Sequence, residues 1–181
     1  MRKPKQVAEF QAPMMSAFRG AFAAHDARRR LIQTQEGERV IAGRQSLQRG
    51  DEAELRRDLA TDLTALLNTT DLGSVIDLTD FPYVRKSVLN FGLYDVAHLV
   101  SEEVGVDAIR DDLIASLKEF EPRLDPSTLV IERSEHNDDV HQRVRFTVSA
   151  EMFCVPANLP VDFVAEVEIG SGKIQLSRLP G

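Results

Sequence analysis

Apolar residues recur every three or four positions along the first two-thirds of the chain, and after Pro126 they recur every second position. That change of period separates helix-forming from strand-forming sequence. The clearest helical stripe is Leu55, Leu59, Leu63, Leu66 and Leu67, which leaves Arg56, Arg57, Asp58 and Asp62 outside it. Asp51 stands at the N-cap position and Glu54 follows three residues later, so a capped helix is predicted over residues 51–67. Residues 68–71 end it and open a loop containing Gly73 and Leu78. Pro82 then begins a shorter helix, with Val84, Val88 and Phe91 predicted to face inward and Gly92 placed at a left-handed C-terminal position. Asp95 is expected to cap a further turn through Val96 and Leu99.

The element around which the rest is organised covers residues 107–120. Ile109, Leu113, Leu117 and Phe120 form its buried stripe and Ile114 widens it. Pro122 stops the helix, because it lacks an amide proton and steers Glu121 away from helical geometry. Glu121 and Arg123 are therefore held on a stiff exit segment beside the last turn. A carboxylate there opposes the helix dipole by roughly 0.3–1 kcal/mol, so something must offset it. Two readings follow: Arg123 or Lys118 neutralises Glu121 locally, or Glu121 and Arg123 form a directional charge pair that clasps a partner chain.

Beyond Pro126, Leu129 and Ile131 alternate with Val130 and Glu132, and residues 135–139 make a polar turn. Val144, Phe146, Val148, Ala150 and Met152 then trace a long strand with one buried face. Residues 156–160 are expected to break it before Val161, Phe163, Ala165, Val167 and Ile169 trace another. Gly170-Ser171-Gly172 permits a hairpin turn into a last strand containing Ile174 and Leu176. Helices first and strands afterwards predict an α+β fold, N-terminal helices packed against a C-terminal antiparallel β-sheet. The final strand would lie at an edge, where a strand of another protein could add.

Upstream of this body, Met14, Phe18, Ala21 and Phe22 share one side of a predicted helix over residues 14–30 that ends in Arg28, Arg29 and Arg30. Such an amphipathic anchor could dock on the body, a partner or a membrane surface, its small apolar face making the last the weakest reading. Residues 33–50 read as a linker or long loop, with Leu31, Ile32, Val40, Ile41 and Leu47 as scattered anchors. The predicted organisation is thus a basic arm (1–32), a linker (33–50) and one α+β domain (51–181).

Charge sharpens that division. Residues 1–50 carry 10 Lys or Arg against 4 Asp or Glu, whereas the remainder carries 12 against 25, giving the formal −7 of the whole chain. A basic arm joins an acidic body, a balance that argues against a dedicated nucleic-acid binder. With no Trp and two Tyr, the chain offers no aromatic platform for sugars or bases. The single Cys154 excludes an intramolecular disulfide, suits a reducing compartment and sits in strand-like sequence as an inert buried thiol. No apolar run is long enough to span a bilayer and no secretory leader is recognised, so cytoplasmic residence is expected.

Catalytic motifs are wanting. His25, His98, His136 and His141 match no zinc spacing, and His136 and His141 read as parts of a solvated turn. Asp77 and Asp80 read as turn and capping residues. The glycines at 37, 43 and 50 lack the Lys-Ser/Thr of a phosphate-binding loop. A glycoside hydrolase needs one carboxyl kept protonated; Glu121 could nominally serve, with Asp125 near it, but Arg123 favours its ionised form. No catalytic residue, metal site or cofactor is assigned.

Three pieces of sequence together resemble a known family: Leu55-Arg56-Arg57-Asp58-Leu59 leading into Leu66-Leu67-Asn68-Thr69, then residues 87–95 (SVLNFGLYD), then Phe120-Glu121-Pro122-Arg123-Leu124. In that order, with the sheet behind them, they resemble the baseplate wedge and sheath-initiator proteins of contractile phages, once labelled lysozyme-like, and within them the TssE-type subunits of type VI secretion systems. The resemblance implies a cytoplasmic structural part of a membrane-proximal baseplate. It implies that Glu121, Pro122 and Arg123 bind wedge subunits of the TssF and TssG type, with TssK a further neighbour. It also implies that a hairpin including Val161, Phe163, Val167, Ile174 and Leu176 templates a sheath of TssB and TssC, and that Met14, Phe18 and Phe22 dock the arm. The family's leucine-rich arm is replaced here by Met14-Met15-Ser16-Ala17-Phe18-Arg19. A cell-wall hydrolase and a generic adaptor whose basic arm binds an acidic protein are the alternatives.

Overall fold

The structure, a computed structural model, describes residues 10–11, 13–23, 25, 31–33, 39–41, 51–95, 103–134 and 143–178. It contains helices α1 (Met14–Ala23), α2 (Glu52–Leu67), α3 (Pro82–Arg85) and α4 (Glu103–Phe120). The strands are β1 (Leu31–Gln33), β2 (Arg39–Ile41), β3 (Val130–Arg133), β4 (Arg143–Met152), β5 (Leu159–Glu168) and β6 (Ile174–Arg178). The order of elements gives the expected α+β fold with a C-terminal antiparallel sheet. Two compact units emerge, residues 1–59 with 154–157, and residues 60–153 with 158–181.

In the first unit, the start of α2 is capped reciprocally: the Glu54 amide donates to Asp51 Oδ1 at 2.6 Å and the Asp51 amide to Glu54 Oε2 at 3.4 Å. Helix α1 is held through its polar side, with the Ser16 hydroxyl donating to Asp58 and Arg19 Nη1 lying 3.4 Å from Asp58 Oδ1. Its apolar side therefore looks out, and Met14, Phe18 and Phe22 are all exposed. Here the helix stops at Ala23. At the start of the stretch read as a linker or long loop, β1 and β2 pair antiparallel from Leu31↔Ile41 to Gln33↔Arg39. The apolar pairs Leu31-Ile32 and Val40-Ile41 are β-formers, a pattern that charge and glycine content obscured.

The second unit holds the sheet, in the order β3-β4-β5-β6. Alternation is strict: Val144, Phe146, Val148, Ala150 and Met152 on β4 and Val161, Phe163, Ala165 and Val167 on β5 are buried. The opposite face is polar, with Glu166 meeting Arg145 at 3.2 Å and Arg143 at 3.5 Å. Leu63, Leu66 and Leu67 of α2 and Ile109, Leu113 and Leu117 of α4 supply the helical part of this core, each contributing about 1.5–3 kcal/mol on burial.

Several local expectations are corrected. Pro160 does not break the strand but lies within β5 opposite Glu151. It sits beyond the reach of β6, whose pairing starts at Phe163↔Arg178, so the missing amide is tolerated. Ile169 falls in the turn after β5. The Pro82 helix lasts only to Arg85 and is followed by a 3₁₀ turn at Val88–Asn90. Val88 is then exposed rather than inward, and Val84 and Phe91 are only partly covered. Gly92 has φ +138° and serves a close backbone approach instead of a helix end. Val96, Leu99 and residues 135–139 lie outside the described residues.

One titration arises from this packing. The Tyr94 amide donates to Asp112 Oδ2 at 2.8 Å, while burial, with Asp71 adding to it, holds the Asp112 carboxyl above the ordinary aspartate range despite that bond. The folded protein thus binds this proton more tightly than the unfolded chain, and the charged form is a liability at neutral pH. Asp112→Asn should be more stable than wild type near pH 7 by less than about 1 kcal/mol. The gain should fade as pH falls through the raised range and wild-type Asp112 protonates, a trend readable from urea midpoints.

Candidate functional site

Two features of the second unit are candidates for a functional site, the exit of α4 and the β6 edge of the sheet. At the first, the Glu121 amide closes the last helical bond onto the Leu117 carbonyl at 3.0 Å, and the Leu124 amide turns back to the Glu121 carbonyl at 3.1 Å. The chain is then pinned to the sheet: the Phe153 amide donates to the Arg123 carbonyl at 2.7 Å and the Asp125 amide to the Glu151 carbonyl at 2.8 Å. Pro122 projects into solvent between them.

Glu121 is 5% exposed, and its carboxylate is met by a fork. Arg123 Nε donates to Oε1 and Nη2 to Oε2, both at 2.6 Å, and the Arg123 amide adds a third bond to Oε1 at 3.2 Å. Arg123 Nη2 also donates to Asp62 Oδ2 on α2 at 2.7 Å. The hydrogen bonding of Arg123 to Glu121 outweighs burial and, with the charges of Glu121 and Asp62, holds the guanidinium above its ordinary value. This supplies the offset that a carboxylate at a helix C-terminus requires. Both oxygens of the Glu121 carboxylate are thereby occupied as hydrogen-bond acceptors. Asp125 caps the following turn on Ser127, whose hydroxyl and amide both donate to it and lower its carboxyl below the ordinary range.

Asp62 is the member of this cluster that sequence reading missed, being 61 residues from Arg123. Ser116 was missed too; buried on α4, it donates to the Gly92 carbonyl at 3.0 Å. Its only signal was a hydroxyl interrupting an otherwise apolar stripe.

The second feature is β6, which among the described residues pairs with β5 alone. Gly172, at φ +66°, lets the hairpin close, its amide donating to the Glu168 carbonyl at 2.8 Å while the Glu168 amide donates to Lys173 at 2.9 Å. Ile174 is buried and Leu176 partly so. Val161, Phe163 and Val167 point into the core and hold the hairpin to the body rather than lining its surface. Met14, Phe18 and Phe22 belong to the other unit and form a separate exposed stripe on α1.

Among the described residues, no group of three or more His, Cys, Asp or Glu could hold a metal ion. No described helix is long and apolar enough to cross a membrane. The profile of one family, Baseplate wedge protein gp25, matches residues 53–157, more than half of the chain. That span takes in α2, α4 and the Glu121-Pro122-Arg123 exit, and stops before β5. No curated protein and no solved structure matches the chain. With its motifs, fold and helix exit accounted for, the chain belongs to the gp25 family of baseplate wedge proteins, a structural and non-catalytic family, and its role is that of a baseplate part.

Proposed function

We propose that this protein is the TssE-type subunit of a type VI secretion baseplate, joining wedge to sheath in the cytoplasm. In this reading Pro122 and Arg123 contact wedge subunits of the TssF and TssG type, with TssK nearby, and Glu121 serves as the support that fixes the guanidinium. The β5–β6 hairpin offers its edge to the first sheath subunits, TssB and TssC, and the apolar stripe of Met14, Phe18 and Phe22 docks the arm on a baseplate neighbour. The observation that carries the reading is β6 itself, which among the described residues pairs with a strand on one side only, in a protein of a baseplate family. Open strand edges recruit further strands.

The wedge half is tested by co-purification. Arg123→Lys keeps a cation beside Glu121 but loses the planar fork, so the variant should remain folded while capturing TssF and TssG at least roughly tenfold less well, the loss of one charge-assisted bond. Undiminished capture by the folded variant removes Arg123 from the wedge contact.

A further inference from the structure

The head of the free edge is not free. The Asn68 side chain, just past the end of α2, accepts from the Ile174 amide at 3.1 Å and donates through Nδ2 to the Ile174 carbonyl at 2.9 Å. The same Nδ2 donates to the Thr64 carbonyl at 2.9 Å, which ties the carboxamide to α2. One amide thus reproduces the pair of bonds that a neighbouring strand would make to a single residue of β6. In an antiparallel pair, outward-facing residues alternate with those bonded to the partner. Ile174 faces Val167, Leu176 faces Ala165 and Arg178 faces Phe163. Since both backbone groups of Ile174 are turned to Asn68, those of Leu176 and Arg178 share its outward sense. Usable edge therefore begins at Leu176.

We propose that Asn68 is a register stop: it occupies the outward backbone groups of Ile174, so an extended strand adding to β6 pairs at Leu176 and Arg178 and ends short of Ile174. This rests on the strand-addition reading above and adds to it what sets the register. Strands have a side-chain period of two, and a slip of one residue presents the opposite face of the incoming strand. A fixed stop at one end removes that freedom. Asn68 also lines an open cleft of about 340 Å³ with Thr69, Tyr94 and Lys173, which gives the end of the added strand room to leave the sheet.

The test is amide hydrogen exchange, residue by residue, on the full chain alone and with the TssB–TssC complex, for wild type and Asn68→Ala. In free wild type the Ile174 amide should be protected although it faces the open edge, and sheath protein should slow Leu176 and Arg178 only. In Asn68→Ala the free Ile174 amide should exchange roughly tenfold faster, as expected for loss of a hydrogen bond, and sheath protein should then protect it as well. Unchanged protection of Phe146 and Val148 in mid-sheet shows that the variant is folded. Fast exchange at Ile174 in free wild type, which needs no variant, overturns the stop. So does an added strand that still ends at Leu176 in the variant. Protection by sheath protein on β3 instead of β6, or on neither edge, overturns the strand-addition reading itself and is distinguishable from both.

Discussion

Gly92→Ala is expected to be the most damaging single methyl group in the second unit, lowering stability by about 3–5 kcal/mol. A Cβ at this position would lie 2.3 Å from the Thr69 carbonyl oxygen and 2.9 Å from the Asp71 amide. Neither neighbour can give way cheaply. Thr69 O accepts from the Leu93 amide and the Asp71 amide donates to Leu93 O, both at 2.8 Å, and these two bonds tie the loop after α2 to the loop before α4. Relieving the clash breaks them, and φ +138° is itself strained for any residue with a side chain. Against a typical total of about 5–15 kcal/mol, such a loss should bring the urea midpoint down by roughly a fifth or more. A variant with a near-wild-type midpoint would mean that the two loops are not in contact.

Arg123→Ala is expected to cost about 2–3 kcal/mol, somewhat less than a fully buried pair because the guanidinium retains some access to water. The variant strands the Glu121 carboxylate, 5% exposed, without the fork that accepts its charge. Thermal melting should report a fall of roughly 4–12 °C for a chain of this size. Double replacement, Glu121→Gln with Arg123→Ala, should recover part of the loss, since no unpaired charge is then left inside. Equal destabilisation by the single and double variants would mean that the pair contributes packing and not electrostatics. The same comparison explains why charge reversal is a poor probe of the wedge contact: Glu121 supports the fold before it touches anything else.

The parts of this architecture that sequence reading could reach were those whose causes are local. Asp51 and Glu54 bond each other across one helical turn, Pro122 ends α4 through its own ring, and the alternation of β4 and β5 follows from one buried face. The site was legible to the same extent. Glu121 and Arg123 are two residues apart and were visible as a pair, but Asp62 and Asn68 reach partners 61 and 106 residues away. Nothing in their immediate neighbours marks either one. Val88 and Gly92 were misplaced for a related reason. A helical period was extended over a stretch where only four residues are helical, and where a 3₁₀ turn and a close backbone contact set the geometry instead. Residues 31–41 show the converse, two three-residue strands too short for any periodicity to register.

The central claim is that the outward edge of β6 seeds the sheath, and Leu176→Pro in the native cell tests it most directly. Leu176 lies opposite Ala165 with its amide turned away from β5, so proline removes a donor that the fold itself does not use and that an added strand requires. With TssF and TssG still co-purifying at wild-type levels, fluorescently tagged TssB should form no extended sheaths in these cells. Sheaths of normal number and length, assembled on a baseplate containing the proline variant, would contradict the account.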